Sequence, residues 1–144
     1  MTTITYKDGI IAYDSRITCE NIIIYDDYNK CVKDEFGKFF FMCGAISDYE
    51  NFILHVNNPD KKIRSNIDCR AFVVDFKIIH EYGVHNGKIW RELVPRNSIR
   101  AIGSGQDFSM AYMDCGFSAA DAVRKTMKFD SATGGVVNEY RIES

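Results

Sequence analysis

The sequence lacks several things that would assign a function at once. No apolar run approaches the ~20 residues that a membrane-spanning helix needs. No block of basic residues occurs; the formal net charge is −2 and the pI about 5.9, which argues against nucleic acid as the main partner. No CxxC pair is present, and the cysteines are odd in number: Cys19, Cys31, Cys43, Cys69 and Cys115. That pattern argues against a zinc site and a disulfide framework and points to reduced thiols in a cytoplasmic protein, with a cysteine nucleophile as the minor alternative. No secretory leader is expected, since Lys7, Asp8, Asp14 and Arg16 interrupt the first apolar pattern. Repeats, low-complexity tracts and linkers are also missing. What is present is ordinary for a chain with a core: 144 residues, 46% hydrophobic and 26% charged, the length of one domain.

Periodicity gives the elements. Residues 2–7 alternate, with Ile4 and Tyr6 on one face and Thr3 and Thr5 on the other. Asp8-Gly9 is a hairpin turn signal, and 10–13 form the partner strand. Residues 22–25 (IIIY) read as a short strand before the polar turn DDYN. The run KFFFMC (38–43) is short, apolar and aromatic, and reads as a strand buried on both faces. In SDYENFILHVNN, Tyr49, Phe52, Ile53 and Val56 fall at helical spacing, with Ser47 as N-cap and Pro59 beyond the end. Residues 70–79 and 88–94 read as strands, with Gly83 and Gly87 marking the turn between them. Helices follow from about Gln106 to Asp114 and after Ser118, whose spacing to Asp121 is that of a capping box. Gly134-Gly135 breaks the last helix, and 136–142 form a final strand. The order predicts an α+β fold with helices packed on antiparallel sheet.

The chemistry-bearing candidates begin at position 2. A threonine freed at the chain start carries a hydroxyl beside an α-amine that titrates at ~7.7–8.0, so nucleophile and general base share one residue. A lysine nearby would lower the hydroxyl pKa, and carboxylates would hold that lysine. The candidates are Lys30, Asp14 and Asp130. The three histidines, His55, His80 and His85, stand near no motif serine or cysteine and lend no support to a histidine triad. Taken singly, each candidate has a second reading. Thr2 is also an ordinary strand residue and Asp14 a solvated strand-end carboxylate. Lys30 has surface-lysine neighbours in Lys33 and Lys38, and Ser104 shapes a turn between two glycines. Asp130 and Thr133 suit a helix C-terminus before Gly134.

Together these fragments resemble the proteasome β subunit and the bacterial HslV-type peptidase, both N-terminal-nucleophile hydrolases. TTITYKDGIIAYDSRIT (2–18) is similar to the family's opening strand pair, with Thr2 at the nucleophile and Asp14 at the first carboxylate. RITCENIIIYDDYNK (16–30) continues without a gap to Lys30 at the catalytic lysine. MCG brings Gly44 to the oxyanion donor, AIGSG brings Ser104 to the serine near the terminal amine, and DSATGG brings Asp130 and Thr133 to a carboxylate and a hydroxyl. The resemblance covers roughly residues 2–46 and 99–142.

It implies a four-layer αββα sandwich with a shortened helical layer, because between 45 and 70 one short helix fits where the family has two long ones. It implies a single domain over 1–144. The activity implied is a threonine-type peptidase, exposed by removal of Met1 alone, with no metal or organic cofactor. The substrate would be a peptide or unfolded protein lying beside Thr18 and Ala45. Met42 either floors the specificity pocket or packs in the core. A homo-oligomer, as a ring or otherwise, and an ATP-dependent unfoldase partner are further implications; nucleic acid and membrane are not. Thr133 stands where the family has serine. The shortened helices also fit two other readings: a non-catalytic scaffold of the same fold, or a small-amide hydrolase that needs no ring.

Overall fold

The computed structural model describes residues 2–64 and 66–143. The chain opens on the predicted hairpin, β1 (Thr3–Lys7) and β2 (Ile10–Tyr13), paired Ile4↔Tyr13 through Lys7↔Ile10. Its two-residue turn needs positive φ at both positions, and Asp8 (53°) and Gly9 (77°) supply it. The threonine face of β1 is not solvated. Thr3 and Thr5 are buried, and Thr5 Oγ1 donates to the Ala119 carbonyl at 2.8 Å.

A two-stranded ribbon follows, β3 (Ile17–Cys19) and β4 (Ile22–Tyr25), then β5 (Cys31–Lys33) and β6 (Phe39–Gly44). A single 3-10 turn over Ile46–Asp48 leads into α1 (Tyr49–Val56). Ser47 lies inside that turn, so the expected Ser47 cap is replaced by Asp48, whose side chain makes no capping bond. Next come β7 (Cys69–Asp75), β8 (Ile78–His85), β9 (Lys88–Leu93) and β10 (Arg100–Gly103). The single strand expected over 70–79 is two strands: the chain reverses at Phe76, whose φ is 58°. An apolar residue in the turn hid it from periodicity. Gly83 is inside β8 rather than in a turn, since a Cβ there would lie 2.4 Å from the Trp90 ring. The turn is Asn86-Gly87, both at positive φ.

Helices α2 (Gln106–Asp114) and α3 (Ala119–Thr126) come next, then β11 (Asn138–Arg141). Ser118 caps α3 by accepting from the Asp121 N–H at 3.1 Å; the Asp121 carboxylate pairs with Arg124 at 2.8 Å. α3 ends with Met127 as C-cap, so Asp130 and Thr133 lie in the turns beyond the helix rather than capping it.

The strands form one antiparallel sheet in the order β10-β1-β2-β11 and a second in the order β5-β6-β7-β8-β9. Three apolar clusters join the layers. Ile4, Tyr6 and Ile11 of the first sheet meet Phe41, Phe72 and Val74 of the second. Phe40, Met42 and Val73 on the far face of the second sheet meet Tyr49, Phe52 and Val56 of α1. Ala12 and Ala101 of the first sheet meet Met113, Ala122 and Val123 of α2 and α3. Strand β6 is therefore buried on both faces, as its unbroken apolar run predicts.

Candidate active site

The ends of several elements converge at one edge of the facing sheets. Thr2 precedes β1, Asp14 follows β2 and Lys30 precedes β5. Gly44 ends β6, and Ser104 follows β10. Close packing explains the glycines around them. Gly103, at φ 102°, lies so near the Thr2 carbonyl that a Cβ would sit 1.8 Å from it. At Gly44, φ is 117° and a Cβ would fall 2.2 Å from the Asp68 carbonyl. Both positions require glycine.

Thr2, Asp14 and Lys30 are 2%, 0% and 1% exposed, so three polar side chains satisfy one another out of water. The Lys30 ammonium donates to Thr2 Oγ1 and, at 2.5 Å, to Asp14 Oδ1; Thr2 Oγ1 donates to the same carboxylate oxygen. Asp14 also accepts the Thr3 N–H at 3.2 Å and, on Oδ2, the Gly134 N–H at 2.9 Å. It is thus tied to both ends of the chain. Burial pushes the Lys30 pKa down; the charge and hydrogen bond of Asp14 oppose that, as do Cys43 and Asp130 more weakly. The thiol of Cys43 is itself pushed up to about 12 by burial.

Asp130 organises a second cluster. Its Oδ2 accepts from Ser104 Oγ and Thr133 Oγ1, each at 2.7 Å, and Oδ1 accepts the Ala132 N–H at 3.1 Å. Burial would raise its pKa, but the Ser104 and Thr133 hydroxyls and the Ala132 N–H outweigh it and the carboxyl lies below its usual value. The expectation that Asp130 helps to orient Lys30 is corrected here: its bonds go to the two hydroxyls, and it reaches Lys30 only as a charge at a distance. Ser104 Oγ also approaches the Thr2 carbonyl at 3.5 Å, and Thr133 Oγ1 meets Thr3 Oγ1 at 2.6 Å.

A cleft of about 210 Å³ opens at Thr2. It is lined by Thr2, Ile17, Thr18, Gly44, Ala45, Ile46 and Tyr49. Thr18 and Ala45 stand where expected. Of the two readings of Met42, core packing holds and the pocket floor does not: its side chain is fully buried with Phe52 and Val56 against α1, because β6 turns alternate residues to opposite faces. Tyr49 stands at the cleft in its place, donating to the Met42 carbonyl at 3.3 Å. Arg16 was also unmarked in the sequence. It bonds Asp26 at 2.8 Å and the Ser131 carbonyl at 3.0 Å, packing so closely on Gly134 that a Cβ there would touch its guanidinium. The histidines are elsewhere: His55 bonds backbone of α1 and the loop after it, and His80 stacks edge-on to Tyr82. Met1, whose removal the sequence reading requires, lies outside the described residues.

Eukaryotic HslV from Trypanosoma brucei superposes with a TM-score of 0.72 over 99% of each chain, at 15% identity. BPH from Thiobacillus denitrificans in complex with epoxomicin superposes with a TM-score of 0.69 over 99% of each chain, at 14% identity. The chain has the HslV/proteasome-type fold. No protein-family model matches the sequence, and no curated protein does. The HslV/proteasome-type likeness therefore rests on the path of the backbone, an α+β arrangement of sheets and three helices. Among the described residues, no helix is long and apolar enough to cross a membrane.

Proposed function

We propose that the protein is a threonine-type peptidase. On this reading it is one N-terminal-nucleophile hydrolase domain over residues 1–144, a four-layer αββα sandwich whose outer layer is reduced to α1. The observation that carries the reading is the direct contact of Thr2 Oγ1 with both Lys30 Nζ and Asp14 at the wall of a cleft that also exposes Gly44.

Removal of Met1 frees the Thr2 amine. Thr2 Oγ attacks the peptide carbonyl, and the amine takes the hydroxyl proton through a water held by Ser104 or Thr133, whose hydroxyls Asp130 fixes. The Lys30 ammonium stabilises the forming alkoxide; burial works against its charge and Asp14 restores it. The Gly44 N–H receives the oxyanion, a role whose loss typically costs ~2.7–4 kcal/mol of transition-state stabilisation. The proton then passes to the leaving amine, and water releases the acyl-enzyme. The peptide adds as an extended strand along Thr18 and Ala45. A homo-oligomer accounts for β4, all four of whose residues are large and 48–65% exposed. An unfoldase partner would supply unfolded chains to the cleft.

The test is mass analysis of the N-terminus after exposure to epoxomicin, beside peptide hydrolysis by Thr2→Ala. The reading expects Met1 absent, one epoxomicin on the Thr2 peptide, and no hydrolysis by the variant. Intact Met1 with no adduct would leave a non-catalytic scaffold. Hydrolysis of short amides alone would point to a small-amide hydrolase.

A further inference from the structure

Outside the site, the most connected polar cluster centres on Glu81 of β8, which is only 3% exposed. A carboxylate this buried is stable only when its charge is met. Two arginines meet it: Arg70 of β7 at 2.6 Å and Arg100 of β10 at 3.1 Å. Arg100 also reaches Glu92 of β9 at 2.6 Å, and Arg70 uses its other terminal nitrogen to donate to Gln106 Oε1 of α2 at 3.1 Å. The cluster thus joins the second sheet to the edge strand of the first and to the first residue of α2.

Its position relative to Thr2 is specific. Arg70 is the strand partner of Cys43, the residue before Gly44. Arg100 starts the strand that ends at Gly103, against the Thr2 carbonyl, and Gln106 is two residues beyond Ser104. One buried carboxylate therefore grips both segments that flank the nucleophile: the Gly44 turn on one side and the Ser104 loop on the other. Resting on the reading of Thr2 as nucleophile, we infer that Glu81, acting through Arg70 and Gln106, is a positioning residue that fixes the Gly44 N–H and Ser104 Oγ relative to Thr2. It touches no reacting atom. Losing the Glu81 charge leaves Arg70 without its carboxylate and Arg100 with the exposed Glu92 alone, and lets the two flanks move apart.

The test compares Glu81→Gln, close in size but uncharged, with Asp121→Asn, which breaks a surface ion pair within α3, outside the Glu81 cluster. We expect Glu81→Gln to lower kcat about tenfold with KM changed less than about twofold, the pattern of an interaction felt in the transition state. Amide hydrogen exchange over 43–46 and 103–107 should quicken in the same variant, while Asp121→Asn changes none of these. Adding Gln106→Glu to Glu81→Gln gives Arg70 a carboxylate on α2 itself and should recover most of the lost kcat. Unchanged exchange at both flanks overturns the inference. So does faster exchange spread evenly over the chain with no recovery by Gln106→Glu, which would mark a purely structural carboxylate. If Glu81→Gln does not fold, Arg70→Met, at a half-exposed site, replaces it: the same fall in kcat and the same local rise in exchange are expected, with no recovery from Gln106→Glu, and exchange that is unchanged or rises evenly over the chain overturns the inference. Exchange measured in a Thr2→Ala background separates the two readings, because it reports on the flanks whether or not Thr2 is the nucleophile.

Discussion

The Asp14–Lys30 pair lends itself to a double-mutant cycle, because both side chains are wholly buried and only 2.5 Å apart. Lys30→Met keeps the length of the side chain and removes its charge. Asp14 then remains as a buried anion, still accepting from Thr2, Thr3 and Gly134, so the cost should fall near the lower end of the ~3–5 kcal/mol seen when one partner of a buried pair is deleted. Asp14→Asn strands the ammonium and turns an amide N–H towards donors, and should cost nearer the upper end of ~3–5 kcal/mol. The double variant leaves no buried charge. Its cost should therefore fall short of the sum by ~2–3 kcal/mol, the size of coupling expected for neighbours in one network. Thermal or urea unfolding measures this; for a chain of this length, ~3 kcal/mol corresponds to roughly 10 °C in Tm. The pH dependence supplies an independent sign. The folded-state pKa of Lys30 lies below its unfolded value of about 10.4, so within that window the unfolded chain holds more protons and stability rises with pH. Lys30→Met should remove that contribution. Additive single costs, agreeing within ~0.5 kcal/mol, would refute the argument that the two groups answer each other's burial.

Three further outcomes follow from single positions. Gly44→Ala forces a Cβ onto the Asp68 carbonyl at positive φ, and should cost at least ~1–3 kcal/mol in a denaturant melt and abolish hydrolysis. Thr133→Ser keeps the hydroxyl between Asp130 and Thr3 and should retain most activity, whereas Thr133→Val leaves both partners short of a bond, costing ~1–3 kcal/mol by urea unfolding and slowing hydrolysis far more. Ser118→Ala removes the α3 cap and should cost ~1 kcal/mol in thermal stability, with hydrolysis unchanged.

Local signals made much of the fold readable before any coordinates. Asp8-Gly9, the apolar run of β6 and the Ser118 cap each act over a few residues, and each matches the structure. The misreadings arise where distant packing overrides local pattern. Phe76 sits in a turn that polar residues usually fill, and Gly83 in a strand because Trp90 crosses it. Strands β3, β5 and β10 are only three or four residues long and carry too little periodicity to register. At the site, the family resemblance pointed to Thr2, Asp14, Lys30 and Gly44, of which the structure joins the first three by hydrogen bonds and places Gly44 with Thr2 on one cleft. Which carboxylate holds the lysine, and which face of β6 carries Met42, depend on three-dimensional contacts that spacing does not encode. Tyr49 was readable only as one more apolar residue on a helix, and Arg16 as a surface charge.

The bond from the Gly134 N–H to Asp14 spans 120 positions of chain, and β1 has its outer neighbour β10 nearly 100 positions downstream. At ribosomal speeds of ~5–20 residues/s, the opening hairpin waits on the order of ten seconds before its neighbours exist. Throughout that interval Asp14 lacks its Gly134 partner and Thr3 its Thr133 and Gly103 partners, so the polar site is completed only by the late-made segments.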